Sequence, residues 1–186
     1  MMIMDKVEIF YSLNYDGLSS RELLLRSASY YSGIEADDFI LVHDSGKKPY
    51  FSSHENLHFS VSHSGNVWIA AFADNDVGLD FQLHNSKIRQ DKVAGRYFHP
   101  EEVKKYKTGG GFYEIWSRKE AYCKLFGWGI DYHFPLFNTC GDVVNFDGRA
   151  VYIKNISVCG AENYSCSLAY FDEFVYNVRN LQTSFC

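Results

Sequence analysis

Residues 57–82 read LHFSVSHSGNVWIAAFADNDVGLDFQ, and the fold class turns on them. Three strand-like runs follow one another: Leu57 to Ser62, Val67 to Ala73 and Val77 to Gln82. They carry the aromatic and β-branched residues that suit a pleated surface. A histidine, serine and glycine separate the first two, and Asn75-Asp76 separates the second two, so the spacing is that of hairpins. This predicts an antiparallel or mixed sheet and not a wheel of alternating strands and helices.

Upstream, Lys6 to Tyr11 reads as a first strand with Val7, Ile9 and Tyr11 on one face. Ser19 and Glu22 have the spacing of a capping box for a helix running to about Tyr31, with Gly33 as its stop. Asp38 to Val42 is a further strand candidate. Downstream, a helical pattern covers Ser86 to Tyr97, and Pro100 opens a short helix over Glu101 to Tyr106. Thr108-Gly109-Gly110-Gly111 is a bent or mobile joint. Phe112 to Phe126 is the strongest helix, ended by Gly127 and Gly129. Val151 to Val158 and Ser165 to Phe171 form a closing hairpin. The expected class is therefore α+β: two αβ lobes, residues 1–83 and 84–186, each a small antiparallel sheet packed with a helix. No internal sequence repeat relates them.

The 186 residues carry 18 Lys and Arg against 23 Asp and Glu, a net charge of -5. That balance argues against a general nucleic-acid binder, which needs a basic footprint. Met1 to Phe10 lacks the pattern of a secretory signal, and the longest apolar run, Val67 to Ala73, is too short to span a bilayer. Cys123, Cys140, Cys159, Cys166 and Cys186 form no CxxC pair and are odd in number. The expectation is a cytoplasmic protein with reduced thiols, no structural zinc and no membrane contact.

Three clusters carry chemistry. Phe59-Ser60-Val61-Ser62-His63-Ser64-Gly65 ends a strand in hydroxyls, an imidazole and a turn, which can cradle a phosphate or simply close a hairpin. In Val77-Gly78-Leu79-Asp80-Phe81-Gln82 the period of two puts Asp80 and Gln82 on one face, a carboxylate beside an amide oxygen. Such a pair suits a hard cation, or a half-solvated strand face. In Trp116-Ser117-Arg118-Lys119-Glu120-Ala121-Tyr122-Cys123-Lys124, Lys119 falls inside the apolar arc of Phe112, Ile115, Tyr122, Cys123 and Phe126. A buried ammonium requires a partner anion, or a head that snorkels to water. Trp116, Glu120 and Lys124 lie four residues apart along one edge. Lys47 and Lys48 in their turn, and Arg96 at a helix end, are further cations that could meet phosphate or merely solvate the surface. Acidic residues for a metal and lysines for phosphates fit phosphoryl-type transfer.

In this order the motifs resemble those of the 4'-phosphopantetheinyl transferases, in particular the longer single-chain, two-lobe type known from bacterial surfactin synthesis. Gly46-Lys47-Lys48-Pro49-Tyr50 is similar to the family's Gly-Lys-Pro-Tyr segment with one added lysine. Residues 59–65 resemble its Asn-Ile-Ser-His-Ser-Gly turn, and residues 77–82 its Gly-Ile-Asp-Ile-Glu strand. Arg96-Tyr97-Phe98-His99-Pro100-Glu101-Glu102 resembles its Arg-Phe-Phe-Ser/His-Pro-Glu-Glu stretch, and residues 116–124 its Trp-Ser-x-Lys-Glu-Ala/Ser-x-x-Lys helix. The resemblance implies a pseudo-twofold fold with the active site between the lobes. It implies transfer of the 4'-phosphopantetheine arm of coenzyme A to a serine of an apo acyl or peptidyl carrier protein, with Mg²⁺ or Mn²⁺, by a monomer. Asp80, Glu120 and Gln82 are then the metal-binding residues. Glu120, Lys119 and Lys124 are catalytic, with the partner of Lys119 being substrate or Glu120. Lys48, Ser62, His63, Lys119 and Lys124 bind coenzyme A. Two departures stand out: Gln82 replaces a glutamate common in the family, and Lys6 is the only Lys or Arg before Ser19. They favour, as the alternative, a non-catalytic relative that binds coenzyme A or a carrier protein.

Overall fold

The computed structural model describes residues 5–130, 133–146 and 148–184. The first lobe is built from β1 (Asp5–Leu13), α1 (Ser20–Ser32), the short pair β2 (Leu41–Val42) and β3 (Tyr50–Phe51), β4 (His58–Ser64) and β5 (Val67–Ala73). The second holds β6 (Val77–Leu83), α2 (Gln90–Tyr97), α3 (Pro100–Gly109), α4 (Phe112–Phe126), β7 (Val143–Phe146), β8 (Arg149–Asn155) and β9 (Tyr164–Tyr170). The chain then adds β10 (Phe174–Asn180) and a last turn of helix, α5 (Leu181–Ser184).

The two main sheets run β10-β1-β5-β4 and β6-β9-β8-β7. Each contains the same unit, strand–helix–strand–strand with the last strand in the middle: β1-β5-β4 in one lobe and β6-β9-β8 in the other. All pairings are antiparallel except β1 with β10. The expected pair of similar αβ lobes is what the chain forms.

The sheets face each other across a shared core. Val7, Ile9 and Tyr11 of β1 and Ile69 and Ala71 of β5 meet Leu79 and Phe81 of β6 and Leu168 of β9. On the outer face of the first sheet, Leu23, Leu24 and Ala28 of α1 pack on Phe10, Trp68 and Phe72. On the outer face of the second, Ala121, Tyr122 and Leu125 of α4 pack on Val151, Ile153 and Ala169. Sheets covered on both faces read as continuous apolar runs, and every residue of β5 is buried.

The local signals hold. Ser19 and Glu22 form the capping box of α1, and Gly33 closes it at φ 74°. Helix α4 spans the expected residues and ends at Gly127, φ 70°. The joint before it is bent: Gly110 and Gly111 take φ 75° and 81°, where a side chain would be strained. Several readings shift. Residues 36–38 form a 3₁₀ turn, leaving only Leu41–Val42 as strand, and α2 begins at Gln90. Strands β3, β7 and β10 are additional to the expected ones.

Sheet membership also departs from a division at residues 83 and 84. Strand β6 belongs to the second sheet, while β10 returns to the first and lies parallel to β1. The cause is edge pairing: β1 would otherwise present an open row of backbone groups. Among the described residues no helix is long and apolar enough to cross a membrane, and Cys140, Cys159 and Cys166 are free thiols; Cys186 lies outside the described residues.

Candidate active site

The free edge of β6 meets the free edge of β4, and side chains replace the missing ladder. The hydroxyls of Ser60, Ser62 and Ser64 accept from the backbone N–H groups of Leu79, Phe81 and Leu83 at 2.9, 3.0 and 3.2 Å. Serine at every second position of a strand satisfies every second donor of its neighbour, so the seam between the lobes has a fixed register. That seam sets Ser62 against Asp80.

From the other side α4 closes on β6 at Gly78. A Cβ there would lie 2.0 Å from the Ala121 carbonyl and 2.5 Å from Leu125 N, so only glycine permits the approach. The approach brings the α4 side chains onto Asp80. Lys124 Nζ donates to Asp80 Oδ1 at 2.8 Å and to Ser62 Oγ at 3.0 Å. Ser62 Oγ in turn donates to Asp80 Oδ1 at 3.1 Å. Asp80 is buried, and its second oxygen, Oδ2, has no hydrogen-bond partner among the described residues. Glu120 is half-buried beside it; burial first, then the charge of Asp80, push the Glu120 carboxyl up to about 7, with Lys124 opposing. An orphaned buried carboxylate oxygen next to a second carboxylate that resists ionising is short of positive charge. The two residues fit a divalent cation that completes its shell with water and phosphate oxygens, as Mg²⁺ does. Among the described residues no group of three or more His, Cys, Asp or Glu is placed to hold a metal ion.

Lys124 also lines a cleft of about 350 Å³ between the lobes, with Lys47, Lys48, Phe59, Ser60 and Trp128. Lys48 Nζ donates to the Val77 carbonyl at 2.7 Å and lies 3.7 Å from Asp76, whose carboxylate is 3.0 Å from His58 Nδ1. Burial pulls the Lys48 pKa down, with Asp76 opposing. Three lysines thus line one cleft, and one of them, Lys124, connects it to Asp80. A second, polar groove of about 250 Å³ opens at the other end of α4, between Glu114, Ser117, Asn155 and Ser165.

Of the residues singled out in the sequence, Ser62, Asp80, Glu120 and Lys124 come together. Gln82 is half-buried one register step along, opposite Ser165 where Asp80 is opposite Ser167. His63 does not join them: strand alternation turns it to the face of Phe59 and Val61, where it is exposed. Lys119 requires a correction. Its partner is neither substrate nor Glu120 but Glu102, at 2.8 Å, with both side chains 0% exposed. Its ammonium also donates to the Phe137 carbonyl at 2.7 Å and sits 4.1 Å from the Phe137 ring centroid. The buried ammonium does have an anion, and it comes from α3. Glu102, Ser60, Ser64 and Gly78 lie within the motifs, and only the folded chain gives each its structural role. The alternating serines were the visible signal, a polar face where a buried strand should be apolar.

Comparison with known proteins now bears on this arrangement. Residues 76–177 match the sequence profile of the 4'-phosphopantetheinyl transferase superfamily. The chain belongs to that superfamily. A putative 4'-phosphopantetheinyl transferase of Synechocystis sp. is 35% identical over 79 residues, 39% of this chain and 32% of the relative. A 4'-phosphopantetheinyl transferase of Bacillus pumilus is 30% identical over 131 residues, 66% of this chain and 54% of the relative. The 4'-phosphopantetheinyl transferase Sfp of Bacillus subtilis is 30% identical over 97 residues, 49% of this chain and 42% of the relative. The chain therefore aligns with between about a third and a little over half of these superfamily members' length. The superfamily profile runs from β6 into β10, the half that supplies Asp80, Glu120 and Lys124.

Proposed function

We propose that this chain transfers the 4'-phosphopantetheine arm of coenzyme A to a serine of an apo acyl or peptidyl carrier protein in the cytoplasm, with Mg²⁺ or Mn²⁺. The observation that carries the reading is Lys124: it lines the cleft with Lys48, and its ammonium also holds Asp80, whose second oxygen is orphaned beside Glu120. The superfamily membership supports the reaction class.

In this reading Lys48 and Lys124 bind the phosphates of coenzyme A, and Trp128 closes the cleft beside them. Asp80 and Glu120 hold the metal, with Gln82 offering a neutral oxygen nearby; when bound, the ion acts as a Lewis acid on the pyrophosphate. Glu120, whose proton affinity lies near neutrality, accepts the proton of the carrier serine directly or through one water. The serine Oγ forms its bond to the β-phosphorus as the bridging oxygen leaves with adenosine 3',5'-bisphosphate. Lys124, anchored by Asp80 and Ser62, stabilises the charge that develops on that oxygen.

Displacement at phosphorus places nucleophile and leaving group roughly in line. The nucleotide cleft lies at the Lys124 end of α4, so the serine enters from the opposite end, where the polar groove between Ser117 and Ser165 opens. Gly110-Gly111 and the residues after them border that end.

The test is to mix the protein, coenzyme A, Mg²⁺ and several apo-carrier proteins and measure the intact mass of the carrier. Addition of the arm is the expected result. The second reading, a non-catalytic relative, draws on Gln82 and the two-carboxylate site. It predicts coenzyme A binding by calorimetry without any mass gain on any carrier.

A further inference from the structure

Helix α4 is held on two sides that do not belong to the cleft. On one, Ala121 and Leu125 press on Gly78. On the other, two consecutive cations bind alternate carbonyls of one extended segment: Lys119 takes Phe137, and Arg118 takes Thr139 and Gly141. Glu102 ties the second side together. One of its oxygens accepts from Lys119 Nζ and from the N–H of His99, at 2.8 Å each. Its other oxygen accepts from Thr139 N at 2.7 Å and Thr139 Oγ1 at 2.8 Å. One carboxylate thus joins the start of α3, the middle of α4 and the segment leading to β7.

Lys119 and Glu120 are neighbours, so they project about 100° apart around the helix. Side chains reach about 5–6 Å from a helix axis, so a 20° rotation moves a head group by about 2 Å. That exceeds what a hydrogen bond tolerates, and it would take Lys124 and Glu120 off Asp80. The geometry points to Glu102 and Lys119 as a positioning pair: they set the rotation of α4 and through it the approach of Glu120 and Lys124 to Asp80. The pair touches neither the cleft nor Asp80. The inference rests on the reading of Asp80 and Glu120 as the functional carboxylates given above. A purely stabilising role is the rival, and it is separable, because a buried ion pair replaced by neutral residues of the same volume often leaves stability unchanged.

The variant Glu102→Gln/Lys119→Met keeps the volume and an acceptor for Thr139 and removes both charges. It is expected to fold, with a Tm within about 5 °C of wild type. Its crystal structure should show Lys124 Nζ beyond hydrogen-bond reach of Asp80. Mn²⁺ binding, measured by calorimetry without coenzyme A, should weaken at least fivefold. Turnover should fall at least tenfold, while Lys48 and Trp128 keep their wild-type places in the cleft of the crystal structure. A folded variant with the Lys124–Asp80 contact, Mn²⁺ affinity and turnover of wild type overturns the pair's positioning role. Should the double variant not fold, Glu102→Gln alone serves, since it keeps the volume and an acceptor for Thr139 while removing the carboxylate charge. Wild-type Lys124–Asp80 geometry in that variant overturns the inference equally. If wild-type protein binds no Mn²⁺ and modifies no carrier, the proposed function fails instead, and the crystal structure still decides the positioning role.

Discussion

At the residue scale the site is governed by two carboxylates in one buried place. Glu120 is pushed up to about 7 from an ordinary 4.5. Its folded pKa is raised, so the metal-free protein gains stability from it that is fully present below about pH 4.5 and lost as pH rises through 7. The loss is on the order of 1–3 kcal/mol for a half-buried group. Glu120→Gln should therefore melt with the wild type at pH 4.5 and above it at pH 8, read by calorimetry without metal; equal melting at pH 8 would contradict the buried charge. The same variant should lose about 10²–10⁴-fold in transfer rate if Glu120 is the base. Gln82→Glu adds an anionic oxygen on the strand face of Asp80. The Mg²⁺ concentration for half-maximal transfer should fall several-fold, since a hard cation prefers anionic oxygen. No change with the fold intact would mean that Gln82 lies outside the metal's reach.

At the scale of elements, Gly78 decides whether α4 and β6 can meet. Gly78→Ala puts a methyl 2.0 Å from the Ala121 carbonyl and 2.5 Å from Leu125 N, both backbone atoms of a helix that cannot yield locally. The helix must lift, at a cost of roughly 3 kcal/mol or more. Because Glu120 and Lys124 ride on that helix, urea denaturation and transfer should suffer together. A variant of wild-type stability would show that α4 has room to move outward. The contrast with the opposite flank is instructive. There α4 is held by polar contacts from Arg118, Lys119 and Glu102, which are directional, whereas at Gly78 it is held by contact alone.

At the scale of the molecule the two lobes share one core. Residues of β1, β5, β6 and β9 interdigitate between the sheets, and β10 carries the chain from the second lobe back to the edge of the first. Neither sheet can lose its partner without exposing its inner face. Calorimetry should accordingly show a single unfolding transition, with calorimetric and van't Hoff enthalpies equal. Two resolved transitions would mean that the lobes are independent and that the inter-sheet core contributes little.

How much was legible follows from the range over which each signal acts. Strand alternation, the Ser19–Glu22 capping box, the Gly33 and Gly127 stops and the whole of α4 depend on residues a few positions apart, so the sequence by itself determined them. It also placed Asp80 with Gln82, and Glu120 with Lys124, on shared faces, because those faces follow from periods of two and 3.6. What it could not supply was the partner across space. A lysine in an apolar arc demands an anion, but nothing local distinguishes Glu120, a substrate phosphate and Glu102. Only the packing of α3 on α4 made it Glu102. Three alternate serines imply a polar strand face, but only the meeting of two sheet edges turned them into acceptors for β6. The last strand looked unremarkable because its burial is half-open along its length, and its parallel place beside β1 was decided by an edge left free more than 160 residues earlier. Local conformation is written in neighbouring residues; the joining of distant edges and charges is settled by which surfaces the folded chain leaves uncovered.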